Sequence, residues 1–72
     1  MSFEGKSPQE ALEKLLKKKE ELEKEMEELI EKKNKGIISQ EDFNKKKRDI
    51  EKKYIEVMDR IAQLKYIIGA WG

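Results

Sequence analysis

The chain reverses its direction at Asn34-Lys35-Gly36-Ile37-Ile38-Ser39-Gln40-Glu41-Asp42-Phe43, a stretch that ends one helix and begins another. Gly36 suits the position just after a helix, where a left-handed backbone strains any residue that carries a side chain. Ser39 can cap the next helix, and Asp42 takes the place of the Glu or Gln of a capping box. Ile38 and Phe43 have the spacing of a hydrophobic staple. The stretch therefore predicts a helical hairpin.

The sequences on either side of this turn predict two long amphipathic helices. The first begins at Ser7, a candidate cap, which is followed by Pro8 and by Glu10 in the capping-box position. Seam residues then recur at alternating steps of three and four, as in a coiled coil. The predicted seam comprises Leu12, Leu15, Lys19, Leu22, Met26, Leu29 and Lys33 of the first helix, and Phe43, Lys47, Ile50, Tyr54, Val57, Ile61, Leu64 and Ile68 of the second. We expect helices over residues 8–34 and 40–68, with Gly69 ending or fraying the second.

The short linker predicts that the two helices lie side by side and antiparallel. Folding about the turn brings the following residues together: Leu29 with Phe43, Leu22 with Ile50, Leu15 with Val57, Leu12 with Ile61, Lys19 with Tyr54, and Lys47 with Met26. Lys19 and Lys47 can either fix the register and oligomeric state or lie at the solvated edge of the hairpin. The predicted fold is all-α, an antiparallel two-helix coiled-coil hairpin. It forms a single domain over residues 1–72, with flexible or loosely packed ends at 1–6 and 69–72.

Apolar residues outside the seam suggest that the hairpin has a partner. A chain of 72 residues is near the lower size limit for a self-sufficient core, and one partner helix covers each seam residue only in part. The first helix carries additional apolar residues at Ala11, Leu16 and Ile30. The predicted protein interface comprises Ile55, Met58, Ala62, Tyr66, Ile67 and Trp71. We therefore expect a homodimer in the form of a four-helix bundle, unless Phe3 and Trp71 cover the open end instead.

Composition excludes several classes of function. Charged residues make up 46% of the chain and apolar residues 36%, yet the formal net charge is only +1 and the apolar residues are periodic, which favours order over disorder. Since the chain has no Cys and no His, it lacks the commonest nucleophile, general base and metal ligands. We predict no enzymatic activity, no cofactor, no metal and no small-molecule substrate. No membrane span is apparent, so a cytoplasmic location is expected, and abundant Lys and Glu would fit a thermophile.

The turn end of the hairpin is basic. Between residues 31 and 53 there are nine basic residues and five acidic ones. Such a cluster could contact the phosphates of a nucleic acid or a ribosome, although only one of the nine is Arg and no aromatic residue is interleaved for stacking. The candidate nucleic-acid contacts are Lys32, Lys35, Lys45, Lys46, Arg48 and Lys52. The leading hypothesis is a module for protein–protein interaction and oligomerisation. The alternatives are a nucleic-acid- or ribosome-associated accessory protein, and a small adaptor or inhibitor that docks a helix on a partner.

Residues 29–47 resemble the SHOCT (short C-terminal) domain. The family pattern has a leucine near the end of a helix, then glycine, two aliphatic residues, Ser or Thr, an acidic pair, an aromatic residue and a lysine pair. The matching residues here are Leu29, Gly36, Ile37, Ile38, Ser39, Glu41, Asp42, Phe43, Lys46 and Lys47. The resemblance implies a small helical hairpin with a role in oligomerisation or nucleic-acid contact.

Overall fold

Two helices form an antiparallel hairpin in a computed structural model, which describes residues 7–71 and the side chains of residues 7–69. Helix α1 spans Pro8–Asn34 and helix α2 spans Gln40–Trp71, with no strand in the described part of the chain. They pack along their length in a body of 49 × 19 × 19 Å. The predicted all-α hairpin is confirmed.

Helix α1 begins at the predicted cap. Ser7 has an extended backbone, and its Oγ accepts a hydrogen bond of 3.2 Å from the Glu10 N–H. Its carbonyl accepts a second one, of 3.0 Å, from the Ala11 N–H. Pro8 occupies the first turn, where its lack of an N–H costs nothing. These local bonds fix the start of the helix at Pro8.

Helix α1 ends in a Schellman motif centred on Gly36. The Ile37 N–H donates to the carbonyl of Lys32 at 2.9 Å, and the Gly36 N–H donates to the carbonyl of Lys33 at 3.1 Å. Gly36 has a φ of 75°, the left-handed backbone that this motif requires. The predicted role of Gly36 is thereby confirmed.

Helix α2 begins at Gln40, directly after Ser39, as predicted. The Asp42 N–H donates to the Ser39 Oγ at 3.1 Å, and the Phe43 N–H donates to the Ser39 carbonyl at 2.9 Å. Ile38 and Phe43 are both partly buried, in agreement with their assignment as a staple. Because only five residues connect the helices, α2 turns back and runs antiparallel along α1.

The end of α2 differs from the prediction. The helix continues through Gly69 to Trp71, whereas the sequence suggested an end at residue 68. A glycine in a helix costs only about 1 kcal/mol relative to alanine, which is too little to stop a helix of 32 residues before its last turn. Residues 1–6 and 72, for which loose packing was predicted, lie outside the described residues.

The core consists of seam residues. Four apolar side chains are buried in the described part of the chain, namely Leu22, Leu29, Val57 and Ile61. Leu22, Val57 and Ile61 form one cluster, against which Leu12, Leu15, Ile50 and Tyr54 pack. Three of the predicted neighbour pairs, Leu22 with Ile50, Leu15 with Val57 and Leu12 with Ile61, thus fall within this cluster. One layer of contact between two helices leaves both flanks of the seam open.

Candidate interaction surfaces

An apolar groove runs along one flank of the seam. Its volume is about 600 Å³, and it is lined by Leu22, Glu23, Met26 and Glu27 of α1 and by Ile50, Glu51, Tyr54 and Ile55 of α2. Apolar side chains form its floor, and three glutamates form much of its rim. A groove of this kind can receive the apolar side chains of another helix.

Exposed apolar residues extend this groove along both helices. On α1 the sequence Leu16, Glu20, Glu23, Glu27, Ile30 advances by steps of four and three, so these residues share one helix face. On α2 the sequence Glu51, Ile55, Met58, Ala62 does the same. We call the groove and these two stripes together the apolar flank. Its large exposed side chains are Ile55 at 60% exposure, Ile30 at 44%, Leu16 at 39% and Met58 at 37%.

A polar cluster joins the two helices beside the groove. The Glu23 Oε2 accepts a hydrogen bond of 3.0 Å from the Tyr54 hydroxyl and lies 3.1 Å from the Lys19 Nζ. Lys19 therefore reaches Tyr54, its predicted neighbour, through Glu23. Glu23 was not singled out from the sequence. Its position directly after the seam residue Leu22, and four residues after Lys19, is the signal that could have identified it.

The cluster changes the acidity of all three groups. Hydrogen bonding to Lys19, and then to Tyr54, lowers the pKa of Glu23. The hydrogen bond to Glu23 raises the pKa of Lys19, and the bond that Tyr54 donates to the same carboxylate raises the pKa of Tyr54. Each shift favours the protonation state in which the cluster is intact at neutral pH.

The other seam lysine behaves differently. The Lys47 Nζ lies 3.5 Å from the Glu51 Oε2, and both side chains are about half exposed, at 48% and 52%. Lys47 therefore lies at the solvated edge of the seam, while Lys19 is partly buried and linked to the opposite helix. Lys47 thus agrees with the solvated-edge alternative, whereas a role of Lys19 in fixing the register or oligomeric state stays a prediction.

The predicted protein interface is divided between the two flanks. Ile55 lines the groove of the apolar flank, and Met58 and Ala62 follow it on the same stripe. Ile67 instead lines a smaller groove on the opposite flank, together with Ala11, Lys14, Leu15, Arg60, Gln63 and Leu64. Tyr66 is 78% exposed. The side chains of Phe3 and Trp71 lie outside those that the structure describes. The geometry therefore brings Ile55, Met58 and Ala62 together and separates Ile67 from them.

The candidate nucleic-acid contacts are all exposed near the turn, but they fall into separate sets. Lys32 and Lys46 line a groove on the flank opposite the apolar one, where Glu25, Glu28 and Asp49 lie among them. Lys45, Arg48 and Lys52 are spaced by three and four residues and so share a different face of α2. Lys33, at the edge of the seam, places its Nζ 5.9 Å from the centre of the Phe43 ring. The basic residues therefore surround the turn end without forming one surface.

The structure describes the side chains of residues 7–69. No polar or charged side chain is buried there, and no group of three or more acidic residues in this part is placed to hold a metal ion. Neither of the two described helices is long and apolar enough to cross a membrane. Comparisons with protein family models, with curated proteins and with solved structures give no match to this chain.

Proposed function

We propose that this chain is a non-enzymatic protein–protein association module, which self-associates through the apolar flank to form a four-helix bundle. The observation that carries this proposal is the distribution of exposed large apolar residues. Of the seven in the described part of the chain, four lie on the apolar flank, namely Leu16, Ile30, Ile55 and Met58. Exposed apolar side chains that gather on one side of a protein are typical of an interaction site.

A second copy of the chain would cover this surface well. The hairpin buries only four apolar side chains within its described part, so much of its apolar surface remains in contact with water. In a two-fold symmetric dimer, the same patch on each subunit covers the other. Two hairpins packed flank to flank have the geometry of an antiparallel four-helix bundle. Self-association would thereby cover the apolar flank of each hairpin with the helices of the other.

A double substitution on the apolar flank tests the proposal. We expect the unaltered protein to sediment at twice its chain mass of 8.6 kDa at micromolar concentration. The Ile55→Glu and Met58→Glu double variant should sediment as a monomer, because it places four carboxylates in a symmetric apolar contact. Circular dichroism of each sample reports whether helix content is kept.

Ile37→Glu provides the matched control. Ile37 is 67% exposed in the turn, away from the apolar flank, so the same chemical change there should leave the dimer intact. A fully helical 8.6 kDa monomer of the unaltered protein would refute self-association. Nucleic-acid binding, the adaptor role and the SHOCT resemblance remain predictions from the sequence.

A further inference from the structure

We infer that two hairpins associate with their turns at the same end of the bundle, so that α1 of each protomer lies against α2 of its partner. This inference rests on the proposed self-association through the apolar flank and adds the orientation of the partner. Two hairpins packed flank to flank have two symmetric arrangements. The two-fold axis runs either along the helices or across them. The first arrangement pairs α1 with the partner's α2, and the second pairs α1 with the partner's α1.

The grooves show which parts of α1 and α2 lie at the same height. In the middle of the hairpin, residues 22–27 line a groove with residues 50–55, and Glu23 bonds to Tyr54. Toward the turn, residues 25–32 line a groove with residues 46–53. Toward the open end, residues 11–15 line one with residues 60–67. Leu16 therefore lies level with the segment from Met58 to Ala62, and Glu27 lies level with Ile50 and Glu51, about one helical turn from Lys47.

The arrangement with the axis across the helices brings like charges together. The stripe of α1 on the apolar flank has Glu20, Glu23 and Glu27 at its centre, and its apolar residues lie at its two ends. Pairing α1 with the partner's α1 places this acidic centre against its own copy. Lys19 offsets only part of the charge, since its Nζ is already 3.1 Å from Glu23. Like charges that meet at an interface oppose association.

The arrangement with the axis along the helices brings apolar residues together and places fewer like charges against each other. Residues at the same height on α1 and on the partner's α2 then meet. Leu16 packs against the partner's Met58 and the partner's Ala62, which are exposed apolar residues in the free hairpin. Glu27 faces the partner's Glu51, whose charge is offset by the partner's Lys47 at 3.5 Å. Each of these contacts occurs twice in the dimer because of the symmetry.

A distance between the two turns tests the orientation. The chain has no cysteine, so an Ile37→Cys variant carries a single spin label at an exposed site outside the apolar flank. With the turns at the same end, we expect a label distance well under about 40 Å, because the turns of two hairpins packed flank to flank lie about one helix spacing, or about 10 Å, apart. With the turns at opposite ends, the distance would be at least about 40 Å, the length of α1 at about 1.5 Å per residue. Pulsed electron–electron double resonance resolves these two values.

Disulfide formation between two singly substituted chains gives an independent readout. A mixture of Leu16→Cys and Met58→Cys chains should form a cross-linked dimer faster than a control mixture of Leu16→Cys and Ile37→Cys chains. The chains are mixed so that only contacts between protomers can be cross-linked. A dimer with the long label distance, or with no preference for the first mixture, overturns the orientation while self-association stands. A labelled chain that sediments as a monomer refutes self-association and the orientation with it.

Discussion

At the scale of single residues, Glu23 links the two helices through a hydrogen bond. One of its carboxylate oxygens accepts from the Tyr54 hydroxyl of α2 and pairs with Lys19 of α1. The three side chains lie at the surface, where such contacts are weakened by water and salt. Their main effect is therefore on geometry, because they hold Tyr54 beside the groove of the apolar flank.

The titration of Glu23 should report this cluster. We expect its pKa to lie below the ordinary value of 4.5, and Lys19→Gln to raise it, since the hydrogen bond from Lys19 is the largest cause of the shift. Tyr54→Phe should raise it by a smaller amount. Carbon-detected NMR of the side-chain carboxyl measures both effects. Lys47→Gln is the control, since Lys47 pairs with Glu51 and should leave Glu23 unchanged. A Glu23 pKa that is the same in Lys19→Gln would show that the pair is absent in solution.

The same shifts set the pH window in which the cluster contributes to stability. Because the pKa of Glu23 is lowered, its contacts stabilise the folded hairpin above pH 4.5. This stabilisation is lost as the pH falls through the pKa that Glu23 has in the folded state. The raised pKa of Tyr54 has the opposite consequence. The hydrogen bond from Tyr54 stabilises the folded hairpin below pH 10.0. This stabilisation is lost as the pH rises through the pKa that Tyr54 has in the folded state. The Lys19 contribution is lost on the same alkaline side.

At the scale of the helices, two glycines occupy positions with opposite requirements. Gly36 follows α1 with a φ of 75°, whereas Gly69 lies inside α2. Apart from its chain neighbours and the adjoining helix backbone, a Cβ added at either position would meet no atom within 4 Å. Packing therefore cannot distinguish the two sites, and only the backbone conformation can. A comparison of alanine at Gly36 and at Gly69 therefore reports mainly on the backbone conformation at each position.

Alanine at these two positions should change stability in opposite directions. Gly36→Ala should lower the free energy of unfolding by about 1–2 kcal/mol, because a left-handed backbone strains a residue with a Cβ. Gly69→Ala should raise it by up to about 1 kcal/mol, because alanine favours the helix. Urea denaturation of the two variants beside the unaltered protein measures both. A stable Gly36→Ala variant would argue against the Schellman turn at the end of α1.

At the scale of the whole molecule, the two flanks of the hairpin differ in character. The apolar flank carries an open groove and exposed Leu, Ile and Met side chains. Near the turn, the opposite flank is lined mostly by alternating acidic and basic residues, among them Lys32, Lys46 and Asp49. Two such hairpins can bury their apolar flanks against each other and keep this charged part of the opposite flank in water. In the proposed bundle, the apolar flanks would therefore form the interior and the charged surface near the turn would face solvent.

Thermal unfolding should therefore depend on protein concentration. For a folded dimer that separates into unfolded chains, each tenfold increase in concentration favours the dimer by about 1.4 kcal/mol. This corresponds to a rise in Tm of about 5 °C for a molecule of two such chains. Circular dichroism from about 1 to 100 µM measures it. The Ile55→Glu and Met58→Glu variant should show no concentration dependence, and a constant Tm for the unaltered protein would contradict the dimer.

The local features of the fold were predictable from the sequence. Ser7, Gly36 and Ser39 act on backbone groups within five residues of themselves, so their roles can be recognised without knowledge of the rest of the chain. The seam was also predictable, because steps of three and four place residues on one helix face whatever the partner is. The predicted end of α2 before Gly69 was wrong, because a long helix tolerates one glycine near its end.

The sequence by itself therefore determined the two helices, their caps and the turn between them, because each depends on neighbours along the chain. Only the tertiary structure decided which residues share a flank. The separation of Ile67 from Ile55, the bond between Glu23 and Tyr54, and the groove itself all depend on the rotation and height of α2 relative to α1. The rotation and height of α2 depend on side-chain packing along the whole seam. That packing joins residues that are distant in sequence.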